Sequence, residues 1–258
     1  MRRVPASIAT ALLIAASAVL AAEIPQAERR SGFSFMAPET QAMQNDDTAN
    51  PGMLWVLEGE ALWNSKSLSG KGCADCHNDA RRTMKGVAAR YPAFDKGLGR
   101  PVDLEGRINI CRTTHQQATP LAYESRELLA LTAFVAQHSR GMAITGVADP
   151  QLEPFIAKGR ELFTARQGQL NLACANCHDE NWDKRLAGSA ITQGHPTGYP
   201  LYRLEWQSLG SLQRRLRACI SGIRAQTYTY GAQELVELEL YLMWRARGMP
   251  MEAPAVRP

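Results

Sequence analysis

The chain has 258 residues, 45% of them hydrophobic and 21% charged, with 29 basic against 25 acidic side chains. That length accommodates two compact units of about 100 residues each. Apolar content is ordinary for a globular protein, and Arg2 and Arg3 account for half of the +4 excess, so no nucleic-acid partner is expected.

Residues 1–22 read as an export leader. Arg2 and Arg3 form a charged start, Ile8 to Leu20 an apolar core, and a cleavage point follows near Val19-Leu20-Ala21. The run is too short and too alanine-rich to span a bilayer, so no membrane span is expected. Residues 23–50 show no clear period and are expected to form an N-terminal extension on the surface. Residues 51–148 form a first unit. Its opening helix carries Gly59-Glu60-Ala61-Leu62-Trp63, residues 78–105 read as a Gly- and Pro-rich loop, and Glu127 to Met142 has the apolar spacing of a closing helix. A linker falls near Gly146 to Pro154, where glycine, aspartate and two prolines cluster. Residues 149–258 repeat the pattern. Gly159-Arg160-Glu161-Leu162-Phe163 stands 100 positions after its counterpart, 179–205 reads as a loop, and Glu234 to Met249 follows its counterpart by 107 positions. Both closing helices end in Arg-Gly-Met. A duplication on this scale predicts two similar units.

The six cysteines fall into two sets of one layout: Cys73, Cys76, His77 and then Cys111, and Cys174, Cys177, His178 and then Cys219. Cys-x-x-Cys-His is the attachment signature of c-type haem, with two thioethers to the porphyrin and the adjacent histidine on iron. Two covalently bound haem c groups are therefore expected. Export agrees, because c-type haem is attached outside the bacterial cytoplasm. Each unit resembles the class I cytochrome c fold, in which the first and last helices cross at a small glycine. The expected fold class is mainly α: two tandem class I cytochrome c-like domains related by internal duplication, with an N-terminal extension.

A haem iron held by one histidine needs a sixth ligand or an open position. Cytochromes of this fold usually supply a methionine before the last helix. Here each unit places a cysteine on that approach. Cys111 precedes Glu127 by 16 positions and Cys219 precedes Glu234 by 15, so the two are equivalent in the repeat. An axial thiolate on each iron explains both. A Cys111–Cys219 disulfide is the alternative in an exported protein, but it requires a special symmetric arrangement. Met84, Met142, Met243, Met249 and His138 remain rival ligands. Met142 and Met249 follow the last helix of their units, and Met243 reads as core. His115 and His195 lack counterparts in the repeat and read as surface or loop residues. A thiolate favours ferric iron and lowers the reduction potential, which a simple carrier has no need for at both haems.

Around Cys219 the sequence is dense in arginine: Arg214, Arg215, Arg217 and Arg224. In a helix, Arg215 lies one turn before Cys219 on the same face. A guanidinium there lowers the thiol pKa and can hold a dianionic oxyanion through paired hydrogen bonds. Arg214, Arg217 and Arg224 read more simply as propionate partners or solvated charges. Arg107 stands four residues before Cys111, so spacing alone does not separate the units.

Trp206-Gln207-Ser208-Leu209, Arg215, Cys219, Arg224-Ala225-Gln226, the Glu237 to Leu242 helix and the Pro254-Ala255-Val256-Arg257 tail resemble the SoxA family, in its dihaem form. The resemblance covers nearly the whole chain after the leader. It implies a periplasmic enzyme, an L-cysteine S-thiosulfotransferase paired with the monohaem cytochrome SoxX. Such an enzyme couples thiosulfate oxidatively to a cysteine of the carrier protein SoxYZ and passes two electrons to cytochrome c. It further implies His77 and Cys111 as iron ligands of the first haem, His178 and Cys219 of the second, a persulfide on Cys219, and Arg215 as the substrate-binding arginine. A dihaem thiosulfate dehydrogenase making tetrathionate and a plain dihaem electron carrier are the alternatives.

Overall fold

The computed structural model describes residues 24–258, so the expected leader lies outside the described residues. Ten α-helices and seven short strands are described. In chain order they are α1 (Pro38–Asn45), α2 (Met53–Asn64), α3 (Ala74–His77), α4 (Ala80–Thr83), β1 (Ala93–Asp95), β2 (Arg100–Val102), α5 (Leu104–His115) and α6 (Arg126–Gln137). The second half continues with α7 (Glu153–Thr164), α8 (Cys174–His178), β3 (Arg185–Leu186), β4 (Ser189–Ala190), β5 (Leu201–Arg203), β6 (Ser208–Gly210), α9 (Leu212–Gly222), α10 (Gln233–Arg245) and β7 (Ala255–Arg257). The fold is mainly helical and built twice from the same parts.

Each half is organised by one helix crossing, and a glycine sets how close it is. A Cβ on Gly59 of α2 would lie 2.1 Å from the Ala130 carbonyl oxygen and 2.7 Å from Phe134 Cβ, both on α6. A Cβ on Gly159 of α7 would lie 2.1 Å from the Glu237 carbonyl and 2.7 Å from Tyr241 Cβ, both on α10. Only a residue without a side chain lets these backbones touch. The aromatics after each glycine complete the contact: Trp63 packs 5.6 Å from Phe134, and Phe163 packs 5.4 Å from Tyr241. Full burial of such rings contributes about 1.5–3 kcal/mol each.

Helices α5 and α9 start on side-chain caps. Asp103 accepts from the Gly106 amide and Ser211 from the Arg214 amide, each satisfying an amide that has no partner within the helix. The stretches expected to be plain loops carry hairpins: β1 pairs with β2, β3 with β4, and β5 with β6. Strand β7 adds in parallel to β5, giving the order β6-β5-β7.

The N-terminal extension departs from the expected irregular surface segment. It contains α1, started by Pro38, and it is anchored to the far end of the chain. Gln44 is buried and its Oε1 accepts from the Val256 amide at 3.1 Å. Asn50 is 3% exposed and its Nδ2 donates to the Pro254 carbonyl. A residue-level period is absent there because side-chain hydrogen bonds to β7, not an apolar stripe, hold the segment down.

The halves share apolar packing. Leu209, Met243, Met249 and Met251 of the second half sit in one cluster with Trp63, Leu129 and Phe134 of the first. A cavity of about 40 Å³ lies at this junction, lined in part by Glu105, Glu239, Thr132, Tyr91 and Tyr199. Burial first, and then the neighbouring Asp103 and Glu124 carboxyls, pushes Glu105 up to about 8. Among the described residues no helix is long and apolar enough to cross a membrane.

Candidate haem and thiol sites

In both halves the Cys-x-x-Cys-His run forms a single helical turn, α3 or α8, directly after the crossing helix. The turn sets the histidine beside the crossing. His77 packs 5.6 Å from Trp63. His178 lies against Gly194, where a Cβ would stand 3.2 Å from the imidazole ring. The His178 Nδ1 donates to the Thr192 carbonyl at 2.7 Å. A carbonyl can only accept, so Nδ1 carries the proton and Nε2 is left for a metal. This is the usual second contact of a ligating histidine.

The first half surrounds a cavity of about 560 Å³, lined by Cys73, Cys76, His77, Met84, Cys111 and His115 among others. That volume suits a large, mostly apolar cofactor. Two thiols at attachment spacing, an imidazole and a third sulfur around one apolar space fit the chemistry of haem c. In the second half the same donors are closer together. The Cys219 thiol lies within hydrogen-bond reach of His178, and Cys174, pushed up to about 12 by burial, also feels the Cys219 charge. The donor set again fits haem c, with His178 and Cys219 facing each other.

All six cysteines are unpaired thiols, so Cys111 and Cys219 form no disulfide. The rival ligands distribute as follows. Met243 and Met249 are buried in the core cluster at 5% and 8% exposure. Met142 packs over Gly86. Met84 is buried but lines the first cavity, and His115 lines its rim from the end of α5. His138 stacks edge-on to Phe134 at 5.1 Å, with its Nε2 buried and unbonded. His195 is not a surface residue: it is 8% exposed, its Nδ1 is tied to the Arg30 carbonyl at 2.9 Å, and burial lowers its pKa to about 4. The sequence pattern missed this because the partner comes from the N-terminal extension, 165 positions away.

The lone cysteines sit at matching places on α5 and α9 but in different fields. From Tyr91-Pro92 to Cys111 the chain aligns without a gap on Tyr199-Pro200 to Cys219, at a constant offset of 108. The hairpins share their register, Asp95 opposite Arg100 in one and Arg203 opposite Ser208 in the other. Arg107 and Arg215 therefore occupy one position. Arg107 is consumed by an ion pair, its Nη2 2.5 Å from Asp95 Oδ2, and it also bonds Tyr91. Burial raises the Cys111 thiol, and Arg107 only partly opposes it. In the second half the residue at the Asp95 position is Arg203. Burial works to raise Cys219 as well, but the close His178 ring and the charges of Arg215 and Arg203 outweigh it and bring the thiol below its ordinary value.

The other arginines of the cluster have simpler roles. Arg214 lies 4.2 Å over the Trp206 ring and 4.0 Å from Glu124, and Arg217 lies 4.5 Å over Tyr230. Arg224 follows α9 in a left-handed conformation, with φ of 58°. Arg203 escaped the sequence reading. It stands in a hairpin 16 positions before Cys219, and only the ungapped alignment of the two Tyr-Pro segments would have set it opposite Asp95.

Two crossed-helix units, each with a Cys-x-x-Cys-His turn and a further cysteine on the helix before its last one, define a tandem c-type cytochrome, a haem-binding protein. Comparison with known proteins agrees. The SoxA/TsdA cytochrome c domain family matches residues 58–144 and again 158–251. The L-cysteine S-thiosulfotransferase subunit SoxA of Pseudaminobacter salicylatoxidans is 38% identical, over 90% of this chain and 82% of its own. That of Rhodovulum sulfidophilum is 37% identical, over 89% and 80%. The crystal structure of SoxXA from P. pantotrophus superposes with a TM-score of 0.86 at 31% identity, covering 89% of this chain and 87% of that one. The chain belongs to the SoxA family.

Proposed function

We propose that this chain is the catalytic subunit of a periplasmic L-cysteine S-thiosulfotransferase and carries two covalently attached haem c groups. Cys73 and Cys76 hold the first and Cys174 and Cys177 the second. His77 with Cys111 and His178 with Cys219 would supply the protein ligands of the two irons. The reaction joins the sulfane sulfur of thiosulfate to a carrier-protein cysteine: the S–H bond is lost, an S–S bond forms, and one proton and two electrons are released. When bound, the haems supply the one-electron steps that take those electrons to an acceptor cytochrome c. The carrier is SoxYZ and the partner subunit SoxX.

The chain's own residues provide the setting. Cys219 is the sulfur at which transfer takes place, through a persulfide. Thiosulfate carries two negative charges and must approach an anionic sulfur, so an unaided encounter is repulsive. Arg215 lies one helical turn from Cys219 and offers the planar fork that binds an oxyanion through two hydrogen bonds. The observation that carries the reading is Arg215 on α9, one turn before Cys219 and with no ion pair to a carboxylate among the described residues, in contrast to Arg107, which is paired with Asp95.

The test is product analysis with thiosulfate, the carrier thiol protein and cytochrome c. Thiosulfonate on the carrier is the expected product. Tetrathionate formed without the carrier, or electron passage with no sulfur product, would overturn the assignment. Intact mass of the purified protein should show two haems and, in part of the molecules, extra sulfur.

A further inference from the structure

We propose that Arg203 is a second anion-binding residue of the Cys219 site, so that the sulfonate end of a thiosulfate dianion is held between two guanidiniums, one from the β5–β6 hairpin and one from α9. This rests on the thiosulfate reading above and adds a residue from a different element.

Arg203 is held rigidly. It ends the central strand of the β6-β5-β7 sheet, opposite Ser208 on one side and Arg257 on the other. The next amide, Leu204 N, donates to the Arg257 carbonyl at 2.8 Å. The side chain is 15% exposed, and its Cζ lies 5.4 Å from the Trp206 ring centre. Its Nε stands 2.9 Å from Glu205 Oε2, its one ion-pair partner among the described residues, and that carboxylate is 65% exposed. An ion pair with so exposed a partner is weak. By the shared register of the hairpins, Arg203 and Arg215 take the places that Asp95 and Arg107 hold 2.5 Å apart in the first half, with Cys219 one helical turn after Arg215. Two guanidiniums in these places, with a single exposed carboxylate on Arg203, leave positive charge that a dianion would balance.

The first half is the internal control. The residue in place of Arg203 there is Asp95, which neutralises Arg107 at 2.5 Å. One exchange in the hairpin turns a closed ion pair beside Cys111 into an open arginine pair beside Cys219. This explains why equivalent helices with equivalent arginines give only one anion site.

The experiment uses the haem-loaded complex and reads the thiosulfate Kd by calorimetry, the split between KM and kcat, and the ferric haem spectrum. Losing a charged hydrogen bond changes binding by about tenfold to a hundredfold. Arg203→Gln should weaken the Kd and raise KM by that range while the thiolate-type haem signals persist, and Arg203→Lys should restore part of the loss. Arg203→Asp, which copies the first half, should be weaker still, since its carboxylate would capture Arg215. Glu205 is exposed, so Glu205→Gln should fold whatever Arg203→Gln does. It frees Arg203 and should tighten the Kd about twofold or more, a gain absent when Arg203 is also Gln. An unchanged Kd in Arg203→Gln beside a weakened one in Arg215→Gln overturns the role of Arg203 alone. An unchanged Kd in both overturns the thiosulfate reading itself. Should Arg203→Gln fail to fold, an unchanged Kd in Glu205→Gln overturns the proposal.

Discussion

Between Tyr91 and Cys111 and between Tyr199 and Cys219, the two halves have the same backbone and different electrostatics. The positions that set the chain's path are kept or replaced in kind. The Tyr-Pro pair recurs, Gly99 and Gln207 both turn the hairpin with positive φ of 65° and 49°, and Asp103 and Ser211 both cap the following helix. Other positions of the aligned segment change their chemistry: Asp95 becomes Arg203, Leu98 becomes Trp206, and Gly106 becomes Arg214. Backbone geometry tolerates few residue types at a turn, a cap or a close crossing, whereas a side chain on a finished scaffold can change its charge freely. A duplicated unit can therefore keep one fold while the charges around its two lone cysteines diverge.

The sharpest way to break the comparison is to exchange the sulfurs. Cys219→Met should keep a six-coordinate iron yet abolish transfer to the carrier, because a thioether cannot hold a labile sulfur. Cys111→Met should raise the potential of the first haem, since a thiolate favours ferric iron, and leave most activity in place. Steady-state assays with paramagnetic resonance check both variants. If Cys111→Met abolishes activity with the second haem intact, the two halves do not divide the labour in this way.

The arginines come next in size. Arg215→Ala should cut turnover with thiosulfate roughly thirtyfold to a thousandfold, the equivalent of about 2–4 kcal/mol of transition-state stabilisation, with both haems retained. Arg215→Lys should recover only part, because an ammonium lacks the bidentate fork. Arg107→Ala, at the matching position, should leave turnover within about twofold. Its charge already serves Asp95. Comparable losses from the two substitutions would show that the anion site is not confined to the second half.

The glycine crossings test what the halves share. A methyl at Gly59 or Gly159 meets a backbone carbonyl 2.1 Å away, so the helices must separate. Overpacking of this kind costs about 1–3 kcal/mol, offset in part by the better helix propensity of alanine, about 1 kcal/mol. Gly59→Ala and Gly159→Ala should therefore lower stability to denaturant by similar amounts. A loss in only one of them would mean that the crossings are not equivalent supports.

These crossings, the haem turns and the repeat were legible in the sequence because each rests on a local pattern: a glycine before an aromatic, Cys-x-x-Cys-His, apolar residues at helical spacing. Arg215 beside Cys219 was legible for the same reason, being one turn away on one helix. Three features were not. His195 meets Arg30, Gln44 meets Val256, and Arg203 reaches the Cys219 field from a hairpin. All three depend on chain segments brought together by the sheet and by the N-terminal extension, and no residue period records such pairings. The buried carboxyls at the junction were hidden likewise, since Glu105 and Glu239 converge only once the halves have packed.

Those carboxyls give an effect that depends on pH, and again the halves supply the control. Glu105 corresponds to Gln213, which needs no ionisation: its Nε2 donates to Asp103 Oδ2 at 2.7 Å and its Oε1 accepts from the Gly231 amide at 2.8 Å. Burial, then Asp103 and Glu124, raises Glu105 from the ordinary 4.5 to about 8, and Asp103, Glu124 and Glu239 shift in the same direction. Below about pH 4.5 Glu105 is neutral folded or unfolded and carries no penalty. Between that value and about 8 the unfolded chain releases its proton while the folded chain keeps it, so stability falls as pH rises, by at most about 1.4 kcal/mol per pH unit for this group. Glu105→Gln removes this contribution. Denaturant unfolding between pH 5 and pH 8 should show a shallower loss of stability in the variant, with the gain greatest at the upper end. An unchanged slope would mean that Glu105 is ionised in the folded protein and that the junction between the halves is wetter than its burial indicates.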